Sequence, residues 1–149
     1  MRNFSIVFFF ALTFFSCEND DICLQEGTPK VIMTFYDAEV PDVRKTVEDL
    51  TIYTEEYGPV YEGVTTDSIS LDMDLAENLT SYHFDQADFD DILDFSYAKE
   101  DVYVSRACGF KTTFYDFEAL ARSNSWIQGI EIINNEITDE SQTTLHIFH

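Results

Sequence analysis

Positive charge is what this sequence has least of. Eight Lys and Arg residues stand against 29 Asp and Glu, a formal charge of −21. A surface so acidic repels nucleic acid and anionic lipid head groups, which select basic patches, so a nucleic-acid partner is excluded. A membrane-spanning helix is missing as well. The longest apolar run, Ile6 to Phe15, falls short of the roughly 20 residues needed to cross a bilayer. Catalytic signatures are equally scarce. No Gly-x-Ser-x-Gly elbow is present to serve a Ser-His-Asp triad with His83, His146 or His149. His146 and His149 flank Phe148 but lack the two further ligands of a zinc site. Cysteine is confined to Cys17, Cys23 and Cys108.

What is present at the N-terminus reads as an export leader. Arg2 precedes the apolar run, Ser16 supplies a small residue, and Cys17 follows at the place of a lipoprotein acceptor cysteine. Phe14 and Phe15 are bulkier than usual for such a site. Glu18, Asn19, Asp20 and Asp21 come next and resemble the acidic tag that sends Bacteroidota lipoproteins to the outer face of the outer membrane. The expected organisation is a leader over 1–16, a lipidated acidic tether over 17–27 and one domain over 28–149. Location follows from this: the outer membrane, by a lipid anchor on Cys17, facing either the cell surface or the periplasm. Removing the leader takes away Arg2 and no acid. Seven cations then face 29 acids, a mature charge of −22.

Once Cys17 is committed to lipid, Cys23 and Cys108 remain as an even pair in a compartment that permits disulfides. Their bond would close a long loop, which the chain-entropy argument values at roughly 4 to 5 kcal/mol. Phe, Tyr, Ile, Val and Leu are spread through the mature chain, so its acidity is a solvated shell over a core and not a mark of disorder.

The periodicity is that of strands. Ile69, Leu71 and Met73 alternate with Ser68, Ser70 and Asp72, and Leu93, Phe95 and Tyr97 alternate with Asp94 and Ser96. Further strands are expected over 30–36, 50–54, 80–84, 102–108, 111–115, 127–133 and 143–148. Turn residues separate them, among them Gly58 with Pro59, Gly63, Glu100 with Asp101, and Gly109. Residues 116–122 read as one short helix through Phe117, Leu120 and Ala121. The fold class expected is all-β: a single antiparallel β-sandwich, immunoglobulin-like or similar, with a β-barrel as the alternative.

Several stretches together have a family look. A lipobox cysteine, Asp-Asp-Ile-Cys at 20–23, Thr28-Pro29, Phe35-Tyr36-Asp37, Asp67-Ser68-Ile69, Ser-Arg-Ala-Cys-Gly-Phe-Lys at 105–111 and Trp126-Ile127 resemble a family of Bacteroidota lipoproteins of unknown function. The resemblance implies a compartment and a strand-rich fold. It implies no activity and no cofactor.

The candidate site residues are therefore few. Asp85, Asp88, Asp90, Asp91 and Asp94 crowd one short stretch, and hard cations favour such carboxylates. The glycine and closing glutamate of an EF-hand loop are absent, so a charged loop is the plainer reading and the calcium candidates Asp85, Asp88 and Asp90 are weak. Cys108 could be a nucleophile beside Arg106 only if no disulfide removes it. Ser68 lies in a three-residue pattern resembling a bacterial O-glycosylation site, and Asn78-Leu79-Thr80 is an N-glycosylation sequon. If 102–108 is one regular strand, Arg106 shares a face with Val102, Val104 and Cys108. A buried guanidinium requires a partner, so a bidentate carboxylate is expected beside it, with a bound anion or glycan carboxylate as the rival.

Two kinds of function fit. One is a non-catalytic envelope module binding a protein or glycan through exposed aromatics such as Tyr53, Tyr57, Tyr61 and Trp126. The other is a small hydrolase or glycan-modifying enzyme using paired carboxylates, one with a raised pKa, in a pocket.

Overall fold

The computed structural model describes Cys23 and residues 27–149. The expected leader over 1–16, the expected lipid-bearing Cys17 and the acidic run after it lie outside the described residues. Among the described residues nine strands form two sheets packed face to face. They are β1 (Val31–Tyr36), β2 (Val47–Thr54), β3 (Gly58–Thr66), β4 (Ser68–Leu71), β5 (Leu79–Gln86), β6 (Phe89–Ser105), β7 (Gly109–Ala121), β8 (Gly129–Ile132) and β9 (Leu145–Phe148). One sheet runs β4-β1-β9-β8 and the other β3-β2-β5-β6-β7. The molecule is a β-sandwich and not a closed barrel. Its pairing is antiparallel with one exception, the parallel match of β1 to β9, Met33 opposite Leu145.

The alternating residues make the core. Val31, Met33 and Phe35 on β1, Ile69 and Leu71 on β4, and Leu145 and Ile147 on β9 face Leu50, Ile52, Phe84, Leu93, Phe95, Phe114 and Phe117 of the other sheet. Each such side chain contributes roughly 1.5–3 kcal/mol on leaving water. The apolar phase of each strand thus decides which face turns inward.

Three expectations about elements are corrected. Residues 116–122 are not a helix, because β7 continues through them to Ala121. Asp116 takes a left-handed backbone (φ 51°), and the pairing steps from Ser96↔Glu118 to Ala98↔Tyr115, which places an extra residue in β7. That bulge brings Phe114 and Phe117, three apart, onto one face, and beyond it Phe117, Ala119 and Ala121 turn to the core while Leu120 is exposed, the period of a strand and not of a helix. Glu100 and Asp101 are not a turn. They lie within β6, opposite Thr113 and Thr112, and Thr112 Oγ1 donates to Asp101 Oδ1 at 2.7 Å. Gly58, Pro59 and Gly63 belong to β3, an edge strand whose three register shifts accommodate them.

The outer edge of β4 is closed by tyrosines. Tyr61 donates to the Ser70 carbonyl (2.9 Å), Tyr82 to Asp72 (2.7 Å) and Tyr97 to Asp74 (2.8 Å). These carbonyls belong to alternate residues along β4 and its continuation, on the side away from β1. Hydroxyls from the opposite sheet therefore satisfy an edge that would otherwise be open to another chain. Burial pushes the Tyr82 phenol up to about 12, with nearby Asp72 acting in the same direction.

A candidate binding cleft

A cleft of about 580 Å³ opens where the β2–β3 turn, the β4–β5 connection and the start of β5 meet. Each wall is locally braced. Thr54 Oγ1 accepts from the Tyr57 amide (3.0 Å), Asp74 Oδ1 accepts from the Ala76 amide (2.7 Å), and Lys99 Nζ donates to the Leu75 and Glu77 carbonyls at 2.8 Å each. Thr80, Tyr82 and Met73 floor it; Glu55, Glu56 and Glu77 stand on the rim. Tyr57 and Leu79 on its margin are 76% and 50% exposed, an apolar component in an acidic setting.

At one end Arg122 holds Asp94 through Nε and Nη2, and Nη2 also reaches Ser81 Oγ at 2.9 Å. Arg122 and the Ser81 hydroxyl keep the Asp94 carboxyl below its ordinary range, against the opposing effect of burial. His83 lies alongside, stacked on Tyr53 with centroids 4.5 Å apart. Its Nδ1 is 2.8 Å from Asp90 Oδ2 and its Nε2 faces Glu55 at 3.7 Å. A histidine held by an aspartate resembles part of a triad, but Nε2 meets a carboxylate and no hydroxyl. Ser81 is already bonded to Asp94 (2.6 Å) and Thr80 to Tyr97 (2.6 Å). Among the described residues, the carboxyl groups whose pKa is displaced all move downward. Asp37 does so through the Glu39 amide, Asp139 through the Ser141 hydroxyl, and Asp91 and Asp94 through their hydrogen bonds. The cleft presents charge, hydroxyls and an aromatic edge.

The aspartate stretch does not assemble around a cation. Asp91, Asp94 and Asp90 go respectively to backbone amides, to Arg122 and to His83, because alternation along β6 sends neighbours to opposite faces. Among the described residues no group of three or more His, Cys, Asp or Glu side chains is arranged to hold a metal, and Asp85, Asp88 and Asp90 are not brought together as one. Asp91 is fully buried. Its Oδ1 accepts from the Ser125 amide (2.7 Å), and its Oδ2 from the Trp126 and Ile127 amides, both at 2.9 Å. Burial alone would raise its pKa. The Ile127, Ser125 and Trp126 amides outweigh burial and hold the carboxyl at about 2. Sequence reasoning missed this role, although Asp91 lies in phase with Leu93, Phe95 and Tyr97, the inward set.

Cys23 and Cys108 are joined in a disulfide, Cα atoms 4.9 Å apart, so Cys108 is no free nucleophile. Arg106 is corrected. β6 stops at Ser105, and Arg106, Ala107 and Cys108 form a three-residue hairpin loop closed by Gly109 at φ 72°. Ser105 Oγ accepts from the Cys108 amide at 3.1 Å. The loop turns Arg106 outward into solvent, and it makes no ion pair with the described residues. The bidentate arginine–carboxylate pair expected at Arg106 is made instead by Arg122 with Asp94. Trp126 is corrected too, from contact residue to core: it is 9% exposed, and its Nε1 donates to the Phe84 carbonyl at 3.0 Å. Tyr61 is half-buried and spent on Ser70, Tyr53 stacks on His83, and Tyr57 alone of the four stands open. Ser68 donates to the Met33 carbonyl at 3.1 Å from a half-buried place in β4.

The family of unknown function DUF6452 matches residues 49–149. No curated protein matches the chain. No solved structure matches it.

Proposed function

The chain belongs to the DUF6452 family, whose function is unknown, and from that premise we propose that it is an outer-membrane lipoprotein with a non-catalytic binding module. Cys17 carries the lipid and the sandwich carries the binding cleft. Its ligand is an envelope protein or glycan that presents positive charge and hydroxyl groups. The observation that carries this reading is the state of the cleft. Its histidine, serine, threonine and arginine are tied to partners within the fold, while the rim carboxylates Glu56 and Glu77 and the margin residues Tyr57 and Leu79 stand exposed. A hydrolase would need the opposite allocation, with reactive groups free and supporting groups bound. The Cys23–Cys108 disulfide supports export, because such bonds persist in oxidising compartments.

Two measurements test it. Globomycin or Cys17→Ala should leave the precursor unprocessed; a normally cleaved, soluble Cys17→Ala product refutes the lipoprotein. Tagged protein recovered from solubilised outer membrane should enrich a component that a Glu56→Gln/Glu77→Gln variant does not. Equal recovery by both refutes the cleft.

A further inference from the structure

The tip of the β6–β7 hairpin differs from the rest of the surface. Residues 102–115 contain no Asp or Glu, the longest acid-free stretch after the leader in a chain with 29 acids. Arg106 and Lys111 lie within it. Tyr103 and Phe110 face each other across the strands, ring centroids 5.4 Å apart and edge to face. They are 56% and 68% exposed, so this aromatic pair is spent on solvent and not on the core. Cross-linked to the same tip, through Cys108, is Cys23.

Cys23 is six residues from Cys17. At full extension six residues span about 20 Å, so a lipid on Cys17 confines the hairpin tip to the vicinity of the bilayer. Without the disulfide the nearest tie to this hairpin would be the bond from the Thr112 amide to Thr28 Oγ1 (3.1 Å), eleven residues from Cys17, a tether nearly twice as long. Aromatic rings with a polar edge favour the head-group level of a membrane, and Lys and Arg place their charge there while their stems remain in apolar surroundings. The remaining acidic surface is repelled from lipid phosphates.

We propose that the hairpin tip, with Tyr103, Phe110 and Arg106, seats in the head-group region of the membrane that anchors the chain, and that the Cys23–Cys108 bond fixes this orientation. The inference rests on lipidation at Cys17. It makes the lipid surface, rather than an envelope protein, the occupant of this end. The sandwich then stands upright on its hairpin, its acidic bulk directed away from the bilayer. The cleft, which begins near Ser96 about 30 Å back along β6, is thereby held clear of the head groups.

The test is fluorescence of the full-length lipidated protein in phosphatidylcholine vesicles with and without brominated acyl chains. Trp126 is the sole tryptophan and is buried, so wild type sets the background. Phe110→Trp should shift its emission to the blue and lose intensity in brominated vesicles. Leu120→Trp, ten residues along β7 and 67% exposed, should respond no more than wild type. Intact mass decides the premise separately. If Cys17 carries no lipid, both the lipoprotein reading and this one fall. If it does and Phe110→Trp emission is unchanged by bromine, only the seating is overturned. Shielding of Phe110→Trp in native outer membrane but not in lipid vesicles would assign the tip to a protein, and overturns it as well.

Discussion

Replacing Asp91 with asparagine tests the physical account of this fold most directly. The carboxylate is fully buried and takes three consecutive backbone amides, Ser125 to Ile127, which otherwise have no strand partner. Asparagine retains one acceptor oxygen and turns an NH2 group toward donors. The displacement of the Asp91 pKa from 3.8 to about 2 corresponds to about 2 kcal/mol of preference for the folded state in the charged form. Leaving a buried amide unpaired costs about 1–3 kcal/mol. Asp91→Asn should therefore lose about 2–4 kcal/mol at neutral pH. The sign with pH is specific. A folded pKa below the unfolded one gives stability that is complete above the unfolded value and is lost as pH falls through the folded value. The gap between wild type and Asp91→Asn should accordingly be constant from pH 7 to near 4 and close toward pH 2. Urea unfolding of both proteins across that range measures it, and the difference cancels the contributions of other carboxylates. A variant within about 0.5 kcal/mol of wild type at pH 7, the ordinary range for inconsequential surface changes, would refute the account. So would a gap that does not narrow in acid.

Other perturbations follow from equally local causes. Ala87 opens the β5–β6 turn with φ 57°, a conformation that favours glycine, so Ala87→Gly should raise the urea midpoint by the equivalent of roughly 0.5–1 kcal/mol. Reducing the Cys23–Cys108 bond, whose cysteines are 85 residues apart, should lower stability by roughly 2–5 kcal/mol, read as a fall in Tm on adding reductant. Tyr82 is held neutral by burial, with a folded pKa of about 12 against 10, so its contribution is complete below pH 10 and is lost as pH climbs toward 12. Ultraviolet titration should show delayed tyrosinate formation in wild type, and Tyr82→Phe should flatten that part of the alkaline unfolding profile.

Particular residues show where reading by period succeeds and where it fails. Ile69 and Leu71, and Leu93, Phe95 and Tyr97, alternate without interruption, and their strands lie where period two places them. Over 116–122 the spacing of Phe117, Leu120 and Ala121 imitates a helix face, but Phe117 and Ala121 turn to the core while Leu120 is exposed, as strand alternation requires. Arg106 was expected on a strand face with valines, but Gly109 in a left-handed conformation closes a hairpin one turn earlier and releases it to solvent. The cleft had no sequence signature, because its walls come from the β2–β3 turn and the β4–β5 connection, each unremarkable alone.

By itself the sequence determined the all-β class, the inward face of most strands, the acidic exterior and the pairing of Cys23 with Cys108, since these follow from local alternation, composition and parity. Tertiary structure alone decided the parallel match of β1 to β9, the capture of three amides by Asp91, the burial of Trp126 and the choice of Arg122 over Arg106 for the bidentate grip on an aspartate. The division has one physical cause. Side-chain period is a property of a single strand. The partner of a charge or an amide is chosen by which distant segment packs against it, and many segments of this acidic chain offered the same carboxylate.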